Sequence, residues 1–402
     1  MGRLQTWGTA ARRSRAVPVV VALVVLAVVA GSVVLVRRSA GPPSIPPPPS
    51  ERAVALGDSV PYGHGLANPY QTHRIGLPAT AVSQGPSAAA YPSLVADDLG
   101  LTMTVRPTNC HLEGDQLAIS GAVADAADNT SPDGQCPVPP RRARNLSDEL
   151  AASGLAAHPA RLVLLQDGAD DIDFSACLEN QLARVLDVSV GLGTSCVSGS
   201  TVTPTVAAHL ARVRASLAGA IEQAAPHAST VAVLDYYQPV PAPGQVARGT
   251  ATSGLHTNLV CSGLEPNAGS TYAAAQVVLG ALNRAVAGAV RDARAHHVTN
   301  VRLIDVARTF DGHGMCTAHP WVFSGEAMPD STLAADTEHI LAAKACSGTD
   351  VLHGAAACGA LLTSAQAADQ SLEDFVWRAA HPTAAGQRAL AAAVVRQLPD
   401  DF

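Results

Sequence analysis

The stretch Ala53-Val54-Ala55-Leu56-Gly57-Asp58-Ser59-Val60 decides how the rest of the chain is read. Its first four residues form a short apolar run, too brief for a helix and suited to a strand buried on both faces. The next three are a glycine, an acid and a hydroxyl, ordinary turn chemistry that ends such a strand. A turn of that kind exposes the Ser59 hydroxyl at the carboxyl end of the strand. In sheets built from parallel strands, reactive groups gather at that end.

Working outward, three more runs have the same character: Leu162–Leu165, Val231–Leu234 and Val301–Ile304. Helical stripes lie between and after them. Val206, Leu210, Val213, Leu217 and Ile221 recur at spacings of three and four, and so do Val278, Leu282, Val286 and Val290, with Arg284, Arg291 and Arg294 off the stripe. An alanine-rich helix is expected from about Thr383 to Leu398. Strands alternating with helices predict an α/β fold, a parallel sheet with helices on both faces in three layers. The segment from about residue 324 to 374 breaks this rhythm and reads as an insertion, either a substrate-facing lid or a surface excursion.

Ahead of the first strand, Ala16 to Val36 form 21 positions without a charge, long enough to span roughly 30 Å of hydrocarbon. Four arginines precede this run and two follow it. The positive-inside rule then puts residues 1–15 in the cytoplasm as a basic tail, 16–36 in the membrane and the rest outside. A cleaved signal peptide ending near Val28-Val29-Ala30 is the competing reading, with the body secreted. Residues 37–50 are rich in proline and form an extended linker. Residues 51–402 are the functional body.

That body carries 20 basic against 33 acidic residues, a net charge of −13, which excludes nucleic acid as a partner. Overall, 48% of the 402 residues are hydrophobic and 15% charged, which excludes bulk disorder. All eight cysteines lie beyond the apolar run: Cys110, Cys136, Cys177, Cys196, Cys261, Cys316, Cys346 and Cys358. An even number in an exported body reads as a disulfide framework. Spacing leaves the pairing open; joining sequence neighbours (110–136, 177–196, 261–316, 346–358) is the expectation, because each bridge then closes a local loop. No CxxC pattern suggests zinc.

Three further stretches join the Gly57-Asp58-Ser59 turn. Gln116-Leu117-Ala118-Ile119-Ser120-Gly121-Ala122 ends a second strand on a glycine. Gln166-Asp167-Gly168-Ala169-Asp170-Asp171 is a polar turn after the next. Ala380-His381-Pro382-Thr383-Ala384-Ala385-Gly386 opens the last helix. Together they resemble the SGNH hydrolases (GDSL-type esterases and lipases), over most of Ala53–Leu398. The cysteines and Cys316…His319-Pro320-Trp321-Val322-Phe323 look most like the disulfide-bonded bacterial secreted branch.

The resemblance implies a flavodoxin-like sheet and a serine esterase or lipase that needs no metal or cofactor. Ser59 is then the nucleophile and His381 its base. The backbone N–H groups of Ser59 and Gly121 receive the oxyanion. Two positions depart from the family pattern. Its third oxyanion donor is an asparagine, and Asp170 stands in that place; a carboxyl donates there only when protonated, which like charges nearby favour. Its triad acid, three residues before the histidine, is Arg378 here. The Arg378 carbonyl, or less directly Asp374 or Glu373, then orients His381. Asp58 reads as a brace for its turn, while Tyr62 and His64 line the cleft. His319 precedes a proline outside any helix start and reads as structural.

The function implied is hydrolysis of an ester, lipid-like, short-acyl or an acetylated envelope glycan, through an acyl-serine. Acyl transfer to a sugar and a weakened, binding-only family member are the alternatives, the second favoured by Asp170 and Arg378.

Overall fold

The four apolar runs become the four strands of one parallel sheet: β1 (Ser50–Gly57), β2 (Ala160–Gln166), β5 (Ala228–Leu234) and β6 (Val301–Ile304), side by side in the order β1-β2-β5-β6. The computed structural model describes residues 50–63, 66, 87–105, 115–118, 124, 145–174, 177, 196–247, 255–323, 381–399 and 402. The N-terminal basic tail, apolar run and most of the linker fall outside these residues. So do Cys110, Cys136, Cys346, Cys358, His64, Gly121, Glu373, Asp374, Arg378 and the 324–374 segment.

Leu162, Val163, Leu164 and Leu165 are fully buried in succession, and so are Val231, Ala232, Val233 and Leu234. Successive side chains point to opposite faces, so both faces of the sheet are covered. Each fully buried leucine or valine contributes roughly 1.5–3 kcal/mol.

The helices fall into two packed groups. On one side are α3 (Leu146–Ser153), α4 (Pro204–Ala224) and α5 (Leu255–Ala295). On the other, α2 (Tyr91–Asp98) packs against α6 (Ala384–Gln397). The predicted stripes of α4 and α5 are the buried faces: Val213, Leu217, Ile221, Leu282, Val286 and Val290 are at most 1% exposed. The part of α5 from Ala268 to Ala295 is long and apolar enough to cross a membrane. Its stripe is instead consumed by the core, which makes it a core helix.

Of the predicted second strand, residues 116–118 are described, and Gln116 bridges Ala55 in parallel on the outer edge of β1, the edge on which Thr102 bridges Arg52. Ala55 N donates to Asp115 O at 2.9 Å, and Leu117 N to Ala55 O at 2.9 Å. Counting this edge as second in sequence gives the order 2-1-3-4-5, the flavodoxin-like winding. A small hairpin, β3 (Val197–Ser198) with β4 (Thr201–Val202), too short to leave a pattern in the sequence, lies against α5. Two of the expected disulfides are formed, Cys177–Cys196 and Cys261–Cys316.

Candidate functional site

The turn after β1 is forced by Gly57. Its φ of +132° and a neighbour, the Gln166 carbonyl oxygen, only 1.9 Å from where a Cβ would stand leave room for glycine alone. The chain then enters a single helical turn, α1 (Ser59–Tyr62), capped by Asp58. Asp58 Oδ1 accepts from Val60 N at 3.0 Å, the usual service of an aspartate at a helix start. Ser59 occupies the first position of that turn, so its amide has no intrahelical acceptor.

His381 arrives from the far end of the chain. Pro382 pairs antiparallel with Val322; Phe323 N donates to the His381 carbonyl at 3.0 Å, and Thr383 N to the Trp321 carbonyl at 2.8 Å. Thr383 then caps α6, accepting from Gly386 N. Gly386 is a glycine by necessity, because a Cβ there would lie 2.2 Å from the Trp321 carbonyl oxygen. The result is a hydrogen bond of 2.6 Å between His381 Nε2 and Ser59 Oγ, across 322 residues of sequence. Both residues are 6% exposed. Such a separation puts a base within reach of the hydroxyl proton.

Asp170 opens a 3₁₀ turn, Asp170–Ile172, at the carboxyl end of β2, the strand beside β1. The two turns are tied by Asp58 N donating to Gln166 O at 3.0 Å. His319 is exposed, and its carbonyl accepts from His313 Nδ1 at 2.8 Å, in keeping with a structural part. Tyr62 is buried within α1.

Several residues of the site were not singled out in the sequence. Tyr236, just beyond β5, donates its hydroxyl to Asp58 Oδ2 and accepts from Ala169 N at 3.3 Å. Its own backbone is clasped by Asn283 of α5, which accepts from Tyr236 N at 2.9 Å and donates to Tyr236 O at 2.8 Å. Glu149 of α3 accepts from Gly57 N at 2.7 Å. Asp171 accepts from Ala124 N at 2.8 Å. Gln387 of α6 donates to Val60 O and accepts from Tyr91 N. The signal available for Tyr236 was the polar Asp235-Tyr236-Tyr237 run closing a buried strand.

The carboxyls here are unusually proton-retentive. Burial pushes Asp58 up to about 6, against the lowering effect of the Tyr236 hydroxyl and the Val60 amide. Burial, then the charges of Asp171, Asp58, Glu149 and Asp170, holds Asp167 well above the carboxylate range. Burial raises Asp235 to about 7, opposed by the Val306 amide that donates to it at 2.6 Å. No group of acids, histidines and cysteines among the described residues is arranged to hold a metal ion.

No family model matches the sequence, and no curated protein does. Among solved structures, a mutant acetyl-xylooligosaccharide esterase from Geobacillus Stearmophilus is similar at 13% identity, with a TM-score of 0.30 over 87% of this chain and 95% of that one. A likeness of that size bears on neither activity nor substrate.

Proposed function

We propose that the protein is an exported serine esterase of the SGNH kind, held at the membrane by residues 16–36. One observation carries this reading: the 2.6 Å contact of a histidine ring nitrogen with a serine hydroxyl at the carboxyl end of a parallel strand. His381 removes the Ser59 proton as Oγ attacks the ester carbonyl. The amides of Ser59 and Gly121 receive the oxyanion. The imidazolium returns its proton to the departing alcohol, and water, activated by the same ring, releases the acid. Arg378 supplies the carbonyl that orients the ring, with Asp374 in second place. Asp170 completes the oxyanion site in its protonated form. The disulfides 177–196 and 261–316 support an oxidising compartment. The substrates that fit such a site are lipid-like or short-acyl esters and acetylated envelope glycans.

Incubating the purified full-length chain with p-nitrophenyl acetate and a fluorophosphonate tests the reading. Turnover together with labelling at Ser59 is expected, and Ser59→Ala should abolish both, with kcat lower by about 10⁴-fold or more. Absence of both signals at every pH from acid to mildly alkaline overturns the enzyme and leaves the weakened, binding-only reading.

A further inference from the structure

Ser59 and Val60 are consecutive, and both are held by the same distant element. His381 lies two residues before the α6 cap, Thr383, and Gln387 lies in the first turn beyond it. The first reaches the Ser59 hydroxyl; the second donates Nε2 to the Val60 carbonyl at 3.1 Å. The other end of the same amide, Oε1, accepts from Tyr91 N at 2.8 Å. Tyr91 begins α2, whose cap residue, Ala90, offers no side-chain acceptor. A first-turn amide in that position needs an acceptor from elsewhere, and Gln387 supplies it. The glutamine is completely buried, with both polar ends engaged.

We propose that Gln387 is a positioning residue for the reaction: it fixes α6, the helix that His381 leads into, to the Ser59 turn through Val60, and to α2 through Tyr91, and thereby sets the base-to-hydroxyl separation. This rests on the esterase reading for its kinetic consequence, though not for its geometry. Glutamine suits the task because one planar amide donates and accepts at once. A displacement of about 1 Å between reacting groups costs on the order of 10²-fold in rate. A side chain that filled space only would not be sensitive to which end donates.

Two variants of the full-length chain separate these roles. Gln387→Leu keeps bulk and removes both hydrogen bonds. Gln387→Glu keeps the acceptor for Tyr91 N, but donates to Val60 O only when protonated. In Gln387→Leu, kcat and the rate of fluorophosphonate labelling should fall by about 10²-fold with KM changed less than about twofold. In Gln387→Glu, activity relative to wild type at the same pH should recover as pH falls. The titratable groups on the elements that meet here, Asp58, Tyr62, Tyr91 and His381 among them, are common to both proteins, so the ratio isolates the new carboxyl. A folded Gln387→Leu protein that labels at the wild-type rate overturns the proposal, and so does a ratio for Gln387→Glu that is flat with pH. Should Gln387→Leu fail to fold, the Gln387→Glu ratio decides alone. If the wild type neither labels nor turns over, the esterase reading fails, and crystal structures decide the positioning role. The Nε2–Oγ contact must then open beyond about 3.5 Å in a substituted protein; an unchanged contact overturns the role.

Discussion

The turns that follow β1 and β2 stand side by side, yet they are built on opposite terms. In the first, Gly57 N reaches Glu149, Asp58 N reaches Gln166 O, the Asp58 carboxylate takes Val60 N and the Tyr236 hydroxyl, and Ser59 Oγ meets His381. In the second, Asp167 is 1% exposed and neither carboxyl oxygen has a hydrogen-bond partner among the described residues. A fully bonded turn holds geometry, as the nucleophile proposed at Ser59 requires. A buried carboxyl without donors holds a proton instead, since ionising it there is costly. One turn therefore holds atoms in place through its hydrogen bonds, while its neighbour keeps a proton on Asp167; Asp58 belongs to the first and shares the proton retention of the second.

The harshest way to break this pairing is Gly57→Ala. The added methyl meets the Gln166 carbonyl at 1.9 Å in a backbone region closed to other residues. Since that carbonyl also receives Asp58 N, both turns are disrupted together. A loss above about 4 kcal/mol is expected, read by thermal melting or as failure to recover folded protein.

Next in size is Asp170→Asn. If the charge state of the second turn limits the reaction, an amide that donates at every pH should raise kcat/KM at neutral pH by about 10- to 10²-fold. The wild type should gain activity towards acid pH where the variant does not. An inactive or unchanged variant removes Asp170 from the oxyanion site.

Asp167→Asn gives a smaller, thermodynamic effect. The native state keeps this proton, while the unfolded chain releases it above about pH 4. The native state then binds more protons than the unfolded one, so wild-type stability falls as pH rises from there. Asp58 and Asp235 act in the same direction up to about 6 and about 7. Asparagine removes one share of this dependence. The melting temperature of the variant relative to wild type should climb by a few degrees between pH 4 and pH 8. A constant difference would mean that Asp167 is ionised in the fold.

How legible this was depends on distance along the chain. The four strands could be read because a strand buried on both faces needs a continuous apolar run, which is a local property. The stripes of α4 and α5 were legible for the same reason. The Ser59 and His381 motifs were conspicuous because each sits at an element boundary with distinctive neighbours. Gln387, Tyr236 and Glu149 have no such mark. Their partners lie 327, 178 and 92 residues away, and nothing in a local pattern distinguishes a glutamine on a helix that meets water from one that meets a carbonyl. On the outer edge of β1, Gln116 pairs with Ala55 where the local pattern places a strand, while Thr102, which carries no such pattern, pairs with Arg52.

The smallest change tests whether the two turns act as one. Tyr236→Phe keeps the ring and the Asn283 clasp on its backbone, and removes only the hydroxyl that links Asp58 to Ala169 N. Asp58 then loses a donor that favours its ionised form, so its carboxyl rises further above about 6. The charged form accepts both Val60 N and the phenol; the protonated form gives up part of this, and the Ser59 turn loosens. Activity should therefore fall on the acid side as Asp58 takes up its proton at about 6, together with the loss that protonation of the base itself brings and beneath the opposing rise expected from Asp170, giving a bell-shaped profile. In Tyr236→Phe the acid limb should move to higher pH, with kcat/KM at the optimum reduced only a few-fold and stability lower by about 1–2 kcal/mol. In a double variant with Asp170→Asn the alkaline limb disappears, and the shift of the acid limb can be read alone. A limb that stays in place would mean that the base, and not the charge of Asp58, sets it, so that the bracing of Ser59 is independent of that charge. The backbone donors at Gly57 and Asp58 would then suffice to hold Ser59, and the proton-bearing turn would act on the proposed oxyanion site alone.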